Sequence, residues 1–327
     1  MRRISDVIYP AVFAFTCAVA GSSAFAETTV CDGAGLPGSG AGKITSVPII
    51  ISAPGVYCVT QKISSTLASG AAITINANSV LLDLNDFAIG NLGAGAGTTA
   101  VGIYSVDHQN IHIRNGVLRG FWMGVGLLNG TQTGLSTALS SGHIVEGIVT
   151  DTSYLAGIVV EGPYATVKNN KIMNTIGSNA VNSTLPGAQD NASAIIVGGG
   201  AGINVSGNQV FNTDCTNGCS TASNVTGIDV GPSPGPVIAD NIVINQTLTT
   251  ATTNGSIAIH FGSQNSTGAS TNAFVVRNLM TNWTNGISFC SNGMFVCTGD
   301  MVSNGAQGVT NAYTSGGTNI ANSASNY

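Results

Sequence analysis

Short apolar runs separated by small and polar residues fill the chain between residues 45 and 305, and they recur. A small residue followed by an aliphatic one opens a run at Ala72-Ile73, Gly102-Ile103, Gly126-Leu127 and Gly157-Ile158. The same opening returns at Ala194-Ile195, Gly227-Ile228, Ala258-Ile259 and Gly286-Ile287. In most cases Asn or Asp follows about a dozen residues later, beside a second apolar run. These residues are Asn85, Asn115, Asn170, Asn208, Asn241 and Asp300. In the remaining two repeats the gap is longer and ends at Glu146 and Asn278. The excess falls in the polar stretches Gly130 to Ser140 and Ser263 to Asn272, as loop insertions do. Within the runs the period is two: Ile111-His112-Ile113, Ala165-Thr166-Val167 and Ile203-Asn204-Val205 put apolar side chains on one face and polar ones on the other.

Strands this short make no stable sheet alone. Stacked repeat on repeat, they pair in parallel and bury a continuous aliphatic interior. With openings about 30 residues apart, the pattern predicts an all-β fold, a right-handed parallel β-helix of about eight coils. At about 4.8 Å per coil the rod is roughly 40 Å long. A β-sandwich or jelly roll is the alternative, but its strands would be longer and its repeats less alike. Asparagines at one place in each coil predict a side-chain amide ladder through Asn85, Asn115, Asn170, Asn208, Asn241 and Asn278. The chain then divides into a leader at 1–26, a cap and first strand at 27–69, the β-helix at 70–305, and a tail or loose last coil at 306–327.

Composition sharpens this picture. Charged residues are only 7% of the chain, yet 43% are hydrophobic and mean hydropathy is +0.31. Enough apolar surface is therefore available for a core, which excludes general disorder. A net charge of −5 argues against nucleic acid as a partner. Arg2 and Arg3, the short apolar run Ala11 to Ala20 and the small-x-small Ala24-Phe25-Ala26 predict a cleaved export leader, and a periplasmic or secreted protein. No run is long enough to span a bilayer. Cys31, Cys58, Cys215, Cys219, Cys290 and Cys297 remain after cleavage, and three local disulfides are the simplest pairing. No histidine stands near a cysteine at ligand spacing, so neither a metal nor another cofactor is expected.

The repeated coils, the asparagine positions and the segment Ser52-Ala53-Pro54-Gly55-Val56-Tyr57-Cys58 resemble the pectin-lyase-like superfamily, and within it exported bacterial proteins known by their parallel β-helix repeats. The resemblance implies the fold and says little about function, because the superfamily holds lyases, hydrolases, epimerases and adhesins. Its polygalacturonase-like hydrolases carry Asn-Thr-Asp, then Asp-Asp, Gly-His-Gly and Arg-Ile-Lys. Here Asn212-Thr213-Asp214 matches the first, but no Asp-Asp pair exists, His143 lies upstream, and Arg277 is followed by Asn278-Leu279. The dense acidic cluster of the calcium-dependent lyases is not visible. The epimerase motif Asp-Pro-His-Asp is reduced to Asp107-His108.

Charge nonetheless gathers between residues 102 and 171, with three of the histidines and several aromatics. Candidate ligand-binding residues are Asp107, His112, Arg114, Trp122, His143, Glu146 and Asp151, and the partner they suggest is a polysaccharide. The structural alternative is that these are outward charges paired across strands, Arg114 with Glu146 for instance. The leading expectation is a non-catalytic exported protein with a surface or carbohydrate-contact role. The alternative is a polysaccharide lyase or epimerase with a diverged site on coils two to four. That alternative requires Asp107, Arg114, Glu146 and Asp151 to converge beside Trp122.

Overall fold

The computed structural model describes residues 31, 42–130, 140–177, 192–215, 225–246, 255–262, 269–290, 297–315 and 320–322. The expected leader, Cys219 and most of the two loop insertions lie outside the described residues. Among the described residues all strand pairing is parallel, in one sheet of ten strands and one of eighteen. The chain is a parallel β-helix.

Each coil has three faces. The ten-stranded sheet forms the first, from Ile49–Ile51 to Asn311–Ser315. The larger sheet forms the second and third. It is continuous because the strands His112–Arg119 and Ile144–Ser153 run through the bend between those faces. All eight openings lie in first-face strands. The register column runs Ile73, Ile103, Val125, Ile158, Ile195, Ile228, Ile259 and Ile287, so the third coil is aligned by Gly124-Val125, two residues before the expected Gly126-Leu127. Each of these is fully buried. Burying one such side chain contributes about 1.5–3 kcal/mol, so the column is a large part of what holds the rod. Leu82, Ile113, Val145, Val167, Val205, Ile238 and Val275 form the matching column on the second face.

The segment expected as cap and first strand pairs with the first coil at the end of the stack. Ile49–Ile51 pairs with Ala71–Ile75, and Gly55–Val59 with Val80–Asp83. A disulfide ties Cys31 to Cys58 at this end. Cys290 is bonded to Cys297, and Cys215 is also disulfide-bonded.

Among the described residues most corners are turned by a residue of positive φ, and these too fall into columns; Asn91, opposite Gly120, is an exception at φ −134°. Asn110, Gly142, Tyr164, Gly202, Gly235 and Asn272 leave the first face. Asn115, Gly147, Asn169, Gly207, Asp240, Arg277 and Ser303 make the bend between the second and third faces. Gly120, Thr152, Asn174, Asn212, Asn282 and Gly308 turn back toward the first. Left-handed backbone is costly for most residues and tolerated by Gly, Asn and Asp. This accounts for much of the chain's richness in Gly and Asn.

The amide ladder sits one residue after the second of these columns. Asn170, Asn208, Asn241, Asn278 and Asn304 each pass a side-chain hydrogen bond of 2.9–3.0 Å to the next. Asn85 and Asn115, expected in the ladder, are not in it. Both occupy positive-φ positions, and Ile148 and Gly116 stand in the ladder row of the two coils before Asn170. The Asn170 amide ends the row by accepting the Ile148 N–H and donating to the Val145 carbonyl.

Candidate functional site

The outer surface of the second face carries part of the charge of the first four coils. Asp83, Arg114, Glu146 and Lys168 share one register column, so opposite signs alternate up the rod. Arg114 Nε lies 2.9 Å from Asp83 Oδ2, and Lys168 Nζ 2.8 Å from Glu146 Oε2. His112, two residues from Arg114 and so on the same side of the strand, brings Nε2 to 2.7 Å from Glu146 Oε1. Partial burial works to raise the Glu146 pKa, but the Lys168 and His112 hydrogen bonds and charges outweigh it and hold the carboxyl below its ordinary range. The expected partner of Glu146, Arg114, is its neighbour in register, while the carboxylate itself is bonded to the bases on either side.

Asp151 belongs to the third face. It takes both Nε and Nη2 of Arg119 on Oδ2, at 3.0 and 2.6 Å, and Asn174 on Oδ1 at 2.8 Å. Burial again opposes ionisation, and the Asn174 and Arg119 contacts again prevail, so its pKa is lowered. Asp107 stands where the chain leaves the first face, with φ 59°, and accepts the Gly130 N–H at 2.7 Å. Trp122 is at the opposite corner, buried with Val101, Met123, Tyr154, Ala156 and Val159 in a satellite apolar cluster.

The sequence candidates therefore divide. The structure brings His112, Arg114 and Glu146 together and sets Asp151, Asp107 and Trp122 on other parts of the perimeter. Trp122 is not an open platform, because its indole is packed under neighbouring side chains. His143 is not a surface group either. It is 1% exposed, accepts the Ile111 N–H on Nδ1 at 3.2 Å, and places Nε2 2.7 Å from Ser140 Oγ. Its short spacing from other charges in sequence concealed an inward orientation. Among the described residues, no group of three or more His, Cys, Asp or Glu is placed to hold a metal ion, and no helix is long and apolar enough to cross a membrane.

Sequence reasoning passed over two arrangements on the first face. Glu161 accepts the Asn129 N–H at 2.8 Å, next to the amide that Asp107 holds. Burial outweighs this hydrogen bond and raises the Glu161 pKa. A carboxyl with a raised folded pKa contributes stability below its unfolded pKa and loses it as pH rises through the folded one. Glu161→Gln, which keeps an acceptor and removes the charge, should therefore stabilise the protein by about 1 kcal/mol at pH 7. Urea titration should show that gain vanish toward pH 4; an equal gain at both values would refute the assignment. The second arrangement is His260, buried, with Nδ1 2.9 Å from Asp229 Oδ1 one coil away. The two residues are 31 apart in sequence, and only coil register joins them.

No protein-family model and no curated protein matches the chain. Solved structures similar to it include the catalytic domain of GH87 alpha-1,3-glucanase in complex with nigerose. That likeness has 12% identity, covers 85% of this chain and 64% of that one, and has a TM-score of 0.29. This chain thus spans less than two thirds of the glucanase domain. The Azotobacter vinelandii mannuronan C-5 epimerase AlgE6 A-module is also similar, at 14% identity over 83% of this chain and 88% of that one, with a TM-score of 0.36. Likeness at this level carries no inference about chemistry.

Proposed function

We propose that the chain is an exported β-helix protein whose second face contacts polysaccharide without cleaving or epimerising its sugar units. The observation that carries this reading is the pairing of carboxylates on the first and third coils with bases on the coils beside them. Asp83, Glu146 and Asp151 are each bonded to a neighbouring base, and Asp151 lies on a different face from the other two. A lyase or epimerase site needs a base free to abstract a proton and a cluster to hold the sugar acid; of the four residues it would use, Arg114 and Glu146 adjoin, while Asp107 and Asp151 stand elsewhere on the perimeter. What the second face does offer is a rigid row of half-buried, oriented donors and acceptors: His112, Arg114, Glu146 and Lys168. The exposed ring of Tyr164 stands in the same coil as Lys168. Oriented polar groups on a rigid surface suit sugar hydroxyls. The disulfides support export to an oxidising compartment.

A screen of the leader-free protein against acidic and neutral polysaccharides tests this. Binding and the absorbance of unsaturated products are followed in the same wells. Binding with no rise in absorbance is expected, and Lys168→Ala, which alters one of the more exposed charges on this face, should weaken it about fivefold. Turnover at a rate abolished by changes on coils two to four would overturn the reading.

A further inference from the structure

Three successive first-face strands place Asp229, His260 and Ser288 in direct register. Neighbouring strands lie about 4.8 Å apart, so the three residues stand in line along the rod. The Asp229 carboxylate accepts a hydrogen bond from His260 Nδ1. This puts the imidazole proton on Nδ1 and leaves Nε2 as the basic nitrogen. Ser288 is 1% exposed, and its Oγ has no hydrogen-bond partner among the described residues, His260 Nε2 included, so register alone sets the two side by side and substrate binding must close the contact. A buried hydroxyl left unpaired costs on the order of 1–3 kcal/mol, and in a native chain such a group calls for a reason.

A second serine–histidine pair in the same chain shows what distinguishes this one. Ser140 lies within hydrogen-bond distance of His143 Nε2, but His143 Nδ1 accepts a backbone N–H. Its proton is therefore on Nε2, donated to the serine, and that ring cannot take the serine proton. Thr150, Thr175, Thr213 and Ser233 also have buried hydroxyls without partners among the described residues. The register neighbours are Leu118 and Ile172 for Thr150, and Ser153 and one another for Thr175 and Thr213, while Ser233 lies outside the strands. Ser288, by contrast, stands beside a histidine already oriented by a carboxylate.

We propose that Ser288, His260 and Asp229 form a nucleophile, a general base and a positioning carboxylate that hydrolyse a carboxylic ester with a short acyl group. A short acyl group is the one that needs least room beside two side chains as buried as Ser288 and His260. The alcohol half is a polysaccharide hydroxyl, and that part alone rests on the function proposed above. Ser288 Oγ adds to the ester carbonyl carbon as His260 Nε2 takes its proton. The carbon–oxygen bond to the alcohol then breaks, and the alcohol leaves with the proton from His260. Water, deprotonated by His260, attacks the acyl-serine and releases the carboxylic acid and free serine.

The full chain is assayed with p-nitrophenyl acetate and p-nitrophenyl hexanoate, and treated separately with a fluorophosphonate before peptide mass spectrometry. Saturable release from the acetate, slower release from the hexanoate, and a phosphonyl adduct on Ser288 are expected. Ser288→Ala should lower kcat/KM about a thousandfold, and Asp229→Asn should lower kcat while leaving KM unchanged. Absence of an adduct on wild-type Ser288, or an acetate rate unchanged in Ser288→Ala, overturns the proposal. The labelling needs no variant, so a misfolded Ser288→Ala leaves it decisive. The test esters carry no sugar, so failure to bind polysaccharide leaves this result standing. Binding of a deacylated polymer, conversely, survives failure here.

Discussion

Asn208→Ala should cost about 3–5 kcal/mol of stability, far more than a polar-to-alanine change on the outer surface. The Asn208 amide makes four side-chain hydrogen bonds, each 2.9–3.0 Å. It accepts the backbone N–H and the amide of Asn170, and donates to the Val167 carbonyl and to Asn241. All of these groups are buried, so none regains a water partner when the amide is removed. The Asn170 N–H and the Val167 carbonyl are left unpaired, and the ladder is cut between Asn170 and Asn241. Because each coil contacts only its neighbours, the lesion falls on one interface of a nearly one-dimensional stack. Urea unfolding should show a lower midpoint, and hydrogen exchange should quicken first in the coils carrying Asn170 and Asn208. Asn85→Gly is the control. Asn85 is exposed at φ 51° and outside the ladder, so its replacement should change stability by no more than about 0.5 kcal/mol. Equal losses at the two sites would show that the ladder contributes nothing beyond ordinary turn chemistry.

The same pair shows where sequence reasoning succeeds and where it stops. The column from Ile73 to Ile287 is legible because each opening repeats a small residue and an aliphatic one, and burial demands that they stack. The asparagines are harder. Asn suits a left-handed corner as well as an amide ladder, and the two positions are adjacent, so Asn115 and Asn170 look equivalent in spacing although they sit one register position apart. The ladder residues share a finer signal. Each follows a corner residue and precedes, by two, an apolar side chain on the third face: Ile172, Val210, Val243, Met280 and Ala306. That signal includes Asn304 and omits Asn85. Charge concentration on coils two to four was visible, but not its mutual neutralisation, because the alternation of sign runs across strands and not along them. The alignment of Asp229, His260 and Ser288 was hidden for the same reason: loops of unequal length separate them, and register alone brings them into line.

Acid should weaken the rod before its surface ion pairs titrate, and His143 is the cause. The side chain is buried among the coils of the charged region, and burial, with a smaller contribution from His108, lowers its pKa from 6.5 to about 4. A histidine depressed in this way is neutral when folded and takes a proton more readily when unfolded. Between pH 6.5 and 4 the unfolded chain therefore binds the extra proton, and stability falls as pH falls through that window. A shift of this size corresponds to about 3 kcal/mol. Protonation also disrupts the local bonding, because Nδ1 accepts the Ile111 N–H and a protonated ring has no lone pair there. Glu146 and Asp151 have pKa values lowered below the ordinary carboxylate range, so their losses come later, at lower pH. His143→Gln, with an amide oxygen able to accept the Ile111 N–H, should lose this fall from pH 6.5 to 4 and keep the smaller, opposite trend of Glu161. Wild-type protein in the same urea titrations should lose most of its His143-linked stability over that range. An identical slope in the two proteins would place the acid sensitivity elsewhere and remove His143 from the core's pH dependence.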